Sequence, residues 1–315
     1  MAKLTLAITL NLVVVWGSAW AQSNGFGSPR LTVVYQRETG TLHPVDGLSI
    51  ANRTGQAFTG LPHLDRAVVA HDGSYALGVG DDARLLLVQT PRGGAVASQE
   101  VSGLNGPDAM AISPRSQAAV VLRGGRLTVL TSLNLQAARQ TADFDVPGVA
   151  GTVAVNDAGN LVAVTVPDQQ TLCVYDMQAG SAVTLPAGQV TAMQFVANSS
   201  DLLFTDGVRN YLVRGATQIT LPQAAMDSRP VAVSSTSDGR FYLLADSEGR
   251  ILRVDATNLN QSTFDCACSV SLLRSGPGYG LFQITGFEHG SMLFLDWNDQ
   301  PYLFAVHAPS AEVQQ

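Results

Sequence analysis

Three features of this 315-residue sequence predict an all-β fold. Short runs rich in Val, Leu, Phe and Tyr recur along the chain, broken by Asp-Gly, Gly-Gly, Asn-Asp and Ser-Glu-Gly turns, which is the pattern of strands joined by tight connections. Apart from a brief stretch at 133–139, no segment carries apolar residues at helical spacing. The same strand–turn–strand form also returns at a nearly constant interval.

That form is visible in "RAVVAHDGSYALGV" (66–79), "DAMAISPRSQAAVVL" (108–122), "GTVAVNDAGNLVAVTV" (151–166), "TAMQFVANSSDLLFTD" (191–206) and "PVAVSSTSDGRFYLLAD" (230–246). The turn residues Asp72, Arg115, Asp157, Asn198 and Asp238 follow one another at 43, 42, 41 and 40 residues. A sixth copy, "YGLFQITGFEHGSMLFLDW" (279–297), is expected to turn at Glu288, and one period before Asp72 lies Arg30, which opens "RLTVVYQ". Further strands follow each copy, such as "RLLLVQ" (84–89), "TLCVYDMQAG" (171–180) and "PYLFAVHA" (301–308), with weaker fourth strands such as "AVASQEV" (95–101). About four strands in a period in the low forties marks the blades of a β-propeller. The count predicts seven four-stranded antiparallel blades, with six as the alternative.

"PVAVSSTSDGRFYLLADSEGRILRVDATN" resembles the seven-bladed propeller repeats of the YVTN and lactonase-like type, related to the quinoprotein and WD40-like group. The resemblance covers about residues 30–308. It implies a structural turn role for Asp72 with Gly73 and Asp238 with Gly239, and a strand-ending role for Asp176 and Asp255. Asp157 and Asn198 occupy the same turn in units that lack Asp-Gly ("NDAG", "ANSS"), and the Trp-Asp pairs of WD40 blades are absent.

Closure of the ring is the weak point of this reading. Few residues precede Arg30 to supply an inner strand for unit one, and few follow Ala308 to supply a fourth strand for unit seven. Either the short end segments shield the exposed edges or the ring closes by packing alone.

The N-terminus reads as a secretory signal peptide over residues 1–21: Lys3, an apolar run from Leu4 to Trp16, and Ala19-Trp20-Ala21 as the small-x-small cleavage signal. Residues 22–315 are then expected to form one propeller domain that is secreted or periplasmic and monomeric. That mature chain has no lysine, and its 17 arginines against 25 acids leave a net charge near −8. Its basic residues never cluster, which argues against nucleic acid as a partner. The sequons at Asn52, Asn198 and Asn260 are read as turn asparagines.

Candidate chemistry lies in the loops that carry the chain from one blade into the next, because these gather around the channel mouth. They are placed at 60–68, 103–110, 146–152, 185–191, 225–231 and 274–280, and their ionisable residues are His63, Asp65, Arg66, Asp108, Asp227, Arg229, Arg274 and the weakly acidic Tyr279. His63, Asp65, Asp108, Asp227 and Arg229 form the candidate catalytic set, since carboxylates beside a base can move a proton and carboxylate oxygens can hold calcium. His71 is read as a solvated turn residue. There is no phosphate loop, no Gly-x-Ser-x-Gly elbow and no His-x-His pair. No cofactor is expected: a quinone needs a tryptophan-rich floor, and two of the three tryptophans lie in the signal peptide. Two functions follow. One is a non-catalytic binding or scaffold module for a protein, glycan, surface partner or small molecule; the other is a lactonase-like hydrolase with an acidic, calcium-dependent site.

Cys266 and Cys268 in "FDCACSV" would point to one face of a regular strand with Cα atoms about 6.6 Å apart, at the limit for a disulfide unless the chain bends at Ala267. A bridge, two free thiols and a metal site are the alternatives. From Asp238 to Glu288 the interval is 50 residues, so this stretch is expected to be an extension of unit six.

Overall fold

The computed structural model describes residues 30–48, 51–92, 95–133, 138–225, 228–286 and 291–307. They form seven separate antiparallel sheets, six of four strands and one of three, arranged as the blades of a propeller. Blade 2 shows the plan. Its inner strand Leu64–Val69 pairs with Tyr75–Gly80, then Leu85–Gln89, then the outer strand Ala97–Glu100. Blades 3 to 6 repeat it with inner strands Ala109–Ile112, Val153–Val155, Ala192–Phe195 and Pro230–Ser235. Each inner strand packs on the next around the axis. The middle strands are buried on both faces, as in Tyr75–Gly80 and Leu161–Val166, while outer strands such as Arg139–Asp145 are mostly exposed. A single blade therefore cannot cover its own apolar faces, and the core consists of the layers between blades.

The predicted turns at Asp72, Arg115, Asp157, Asn198 and Asp238 join an inner strand to its neighbour, on the face opposite the loops that enter each blade. Asp72 Oδ1 accepts from Ser74 N at 3.0 Å and Ser74 Oγ at 2.7 Å, and Asp238 Oδ1 accepts from Thr236 Oγ1 at 2.6 Å and Arg240 N at 3.0 Å. Gly73 and Gly239 follow at φ +66° and +73°, and Asn198 also takes a positive φ, of +57°. These turns are linked from blade to blade. Asp72 N donates to Ser116 Oγ at 3.4 Å. The nearly buried Asp157 carboxylate accepts from Arg115 N of blade 3 at 2.7 Å and from Asn198 N of blade 5 at 2.9 Å. Asn198 Nδ2 reaches Ser237 O of blade 6 at 3.4 Å. Asp176 and Asp255 end third strands as expected, each accepting backbone N–H groups of the following turn.

Blade 7 corrects the expected register. Its strands are Arg274–Ser275, Leu281–Gln283, Ser291–Asp296 and Tyr302–His307. Its inner turn is thus 276–280, closed by a bond from Gly276 N to Leu281 O at 2.7 Å, as Thr236 N bonds Phe241 O in blade 6. Gly278 takes the place of Asp238 at an interval of 40 residues, and the long interval disappears. The segment 274–280 is an inner strand and its turn, on the face opposite the entry loops. Glu288, the expected turn, lies outside the described residues. Tyr302–His307 is the fourth, outer strand of this blade, so no strand after Ala308 is needed to complete it.

Blade 1 has three described strands, Arg30–Gln36, Thr41–Leu48 and Ala51–Thr54. The first runs opposite to an inner strand. Its Arg30 end meets Thr90 O, beside the turn face at 3.0 Å, and its Tyr35 hydroxyl donates to Leu64 O, on the loop face at 2.7 Å. It therefore takes the second position of a blade, and no described strand takes the inner position. Blade 7 seals against blade 1 through Val34, Val45, Met292, Phe294, Phe304 and Val306, and Thr54 Oγ1 donates to His307 O at 2.6 Å. Among the described residues, closure is by packing, with no strand exchanged between the ends.

Candidate functional site

The inner strands surround a channel cavity of about 550 Å³. Blades 2 to 6 contribute Val68, Met110, Thr152, Met193 and Val231 among others, and the segment 271–274 completes the wall. Blade 1 contributes Tyr35. Toward the loop face the cavity runs beside a cleft of about 300 Å³ edged by Arg66. The lining is apolar with scattered hydroxyls and amides, including Gln194, whose buried Oε1 has no hydrogen-bond partner. His71 and Arg274 are its charged or titratable groups besides Tyr35; no described Asp or Glu lines it.

His71 and Arg274 line the cavity where blades 7, 1 and 2 meet. His71 ends the inner hairpin of blade 2, and its Nδ1 lies 2.8 Å from Ser275 Oγ and 3.0 Å from Ser275 O of blade 7. Blades 2 and 7 thus touch directly, past blade 1. Burial, and secondarily the Arg274 charge, lowers the His71 pKa to about 4, so its ring is neutral near pH 7. This corrects the expectation of a solvated turn histidine. Arg274 Nη2 donates to Val33 O at 3.0 Å and lies 3.5 Å from Thr32 Oγ1, so its guanidinium meets the inner edge of the first blade 1 strand. Burial lowers its pKa to about 10.

The sequence-derived candidates sit elsewhere. His63 Nδ1 and Asp65 Oδ1 are 3.9 Å apart at the entrance to blade 2, each side chain more than half exposed. Asp108 Oδ2 accepts from Gly124 N at 2.7 Å within blade 3, and its carbonyl accepts from Arg66 Nη1 at 3.0 Å. Arg229 is exposed at the entrance to blade 6, where its carbonyl accepts from Ser247 N at 2.9 Å. Asp227 lies outside the described residues. His63 and Asp65 are brought together; Asp108 and Arg229 belong to other blades, and none of these four lines the channel. Among the described residues no three His, Cys, Asp or Glu side chains group as metal ligands.

Cys266 and Cys268 are joined by a disulfide, with Cα atoms 5.1 Å apart and Ala267 bent to φ +48°. The bridge follows the outer strand Gln261–Asp265 and stiffens the crossover into blade 7. Cys266 N donates to Gly249 O at 3.0 Å, and Cys266, Val270 and Leu273 pack with Leu243, Phe282 and Trp297. A Cβ at Gly249, where φ is +88°, would lie 2.1 Å from Cys268 O, so only glycine fits beneath the bridge. Cys173 is a buried free thiol in blade 4.

With this geometry the chain belongs to the class of seven-bladed β-propellers. No family model matches it, and no curated protein matches it by sequence. Solved structures match its fold. One is a functionally unknown protein from Desulfotomaculum acetoxidans, at 12% identity and a TM-score of 0.61, covering 88% of this chain and 99% of that one. Another is the β-propeller domain of Myceliophteria thermophila Cps50 (Swd1), at 12% identity and a TM-score of 0.50, covering 63% of this chain and 71% of that one. At that identity the likeness concerns the fold alone.

Proposed function

We propose that this protein is an exported, monomeric, non-catalytic binding propeller that takes its ligand at the loop face and in the channel beneath it. The observation that carries this reading is the channel lining: a ligand-sized, largely apolar cavity with a few polar groups and no described carboxylate. Such a wall suits binding. It offers neither an acid beside a base nor a set of oxygen ligands for calcium. Export is supported by the signal-like N-terminus and by a disulfide of the kind that persists in oxidising compartments. No described helix is long and apolar enough to cross a membrane.

The lactonase-like alternative makes a different prediction. Purified protein would be assayed on a panel of lactones and esters, with and without added calcium. The binding reading expects no turnover above buffer and no calcium-induced rise in melting temperature. Turnover that is lost in Asp108→Asn or His63→Gln would overturn it.

A further inference from the structure

We propose that the channel is a pocket for a small monocarboxylate with an apolar body, and that Arg274 is the residue that holds its carboxylate. This rests on the binding reading above and adds the chemistry of the ligand. Three observations carry it. Arg274 lines the cavity, yet among the described residues it forms no ion pair: no carboxylate oxygen comes within 4.0 Å of it. In a chain of net charge −7, with 25 acids to draw on, a cation set into the central cavity without one is a specific placement.

The guanidinium is also held in place. Nη2 donates to Val33 O at 3.0 Å, which ties the group to the second strand position of blade 1, while Nε and Nη1 have no acceptor among the described residues. A planar fork with unused N–H groups matches a carboxylate in shape and charge. Finally, the surrounding wall is apolar, with Met110, Ile112, Met193, Val231 and Leu272 among its residues, and Gln194 and Thr191 add polar groups. At about 550 Å³ the cavity lies within the ~300–1,000 Å³ typical of small-molecule sites. An apolar wall favours a carboxylate carrying a hydrocarbon body over a strongly hydrated inorganic anion. His71, neutral near pH 7, adds no second positive charge and leaves Arg274 as the anion-binding group.

The burial that lowers the Arg274 pKa to about 10 is the cost a bound carboxylate would offset. The opposite arrangement, a neutral ligand, would leave that cation uncompensated.

The test is calorimetric titration of the purified full chain, at low ionic strength, with hexanoate and benzoate, their amides hexanamide and benzamide, and inorganic phosphate. The carboxylates are expected to bind, and the amides and phosphate to bind at least about tenfold more weakly, as loss of a charge-assisted contact requires. Arg274→Lys keeps the charge but loses the fork, and should weaken carboxylate binding by roughly tenfold with little change for the amides. Because Arg274 also meets blade 1, Met193→Trp serves as a second variant: it fills the cavity from the inner strand of blade 5, leaves Arg274 itself unchanged and should weaken every probe that binds. Equal binding of carboxylates and amides, both weakened by Met193→Trp, would overturn the carboxylate assignment and leave the channel as a binding site. No binding by any probe would overturn the assignment as well. Lactone turnover would instead overturn the non-catalytic reading, whatever the carboxylates do.

Discussion

From blade 3 to blade 6 inner strand lies against inner strand, whereas from blade 7 through blade 1 to blade 2 the described contacts are apolar packing and the polar side chains of His71 and Arg274. In the regular arc each inner strand lies against the next, and Asp157 divides its two oxygens between the turns of blades 3 and 5. At the closure, Arg274 meets a strand edge, His71 spans to Ser275, and six apolar residues seal blade 7 to blade 1. Beside blade 1, for which three strands are described, two ionisable side chains, His71 and Arg274, line the channel. The features that make the closure irregular are the same ones that give the cavity its chemistry.

If the closure is a packed seam of ordinary strength, cutting it should cost as much as cutting the arc. Phe294, 1% exposed and stacked on Phe304 at 5.4 Å, belongs to the closure, and Phe204, fully buried and stacked on Tyr211 at 4.7 Å, belongs to the arc. Phe294→Ala and Phe204→Ala should each lose about 3–5 kcal/mol in denaturant unfolding. A loss at Phe294 below about 1 kcal/mol, against a full loss at Phe204, would show the closure to be loose.

The turn links of the arc are the next largest contribution. Asp157→Ala removes the acceptor of two backbone N–H groups in neighbouring blades, and should cost about 2–4 kcal/mol. Asp72→Ala, whose side chain serves only its own exposed turn, should cost about 1 kcal/mol. Equal costs would mean that the inter-blade sharing by Asp157 adds nothing.

The closure alone should respond to pH through His71. Its folded pKa of about 4 lies below the ordinary 6.5, so the unfolded chain binds a proton that the folded chain refuses. This contribution to stability is complete above pH 6.5 and is lost as pH falls from 6.5 toward 4. It amounts to about 1–3 kcal/mol, allowing for exposure to the lumen. Wild type and His71→Gln, unfolded at pH 7 and at pH 4.5, should differ in pH slope by that amount. Parallel pH profiles would contradict the burial of His71.

The fold was legible because the inner turns need residues that tolerate tight, partly left-handed backbone, and Asp72, Asp157, Asn198 and Asp238 display that need at a regular interval. The register failed at blade 7, where the turn is "GPGYG" and carries no aspartate. "LFQIT" then looked like an inner strand, although Leu281–Gln283 is the second. The cysteine stretch kept the same chain position under both registers, so its role at the crossover could be read while its supposed extra length could not. Channel chemistry was the least legible part. Arg274 is among the ionisable residues the sequence places near the channel, but it and His71 acquire their surroundings from residues 241 and 204 positions away, and no local pattern reports contacts at that range. Of the acids and bases in the entry loops, His63, Asp65, Asp108 and Arg229 are exposed, and of these four His63 and Asp65 are the pair brought together.

The direct meeting of blades 2 and 7 past blade 1 is the central claim, and a double-mutant cycle between His71 and Ser275 tests it most directly. His71→Ala, Ser275→Ala and the double variant, unfolded in denaturant at pH 7, are predicted to show a coupling of about 0.5–1.5 kcal/mol, the worth of a hydrogen bond between them. Strictly additive losses would contradict the claim and place the two blades out of contact.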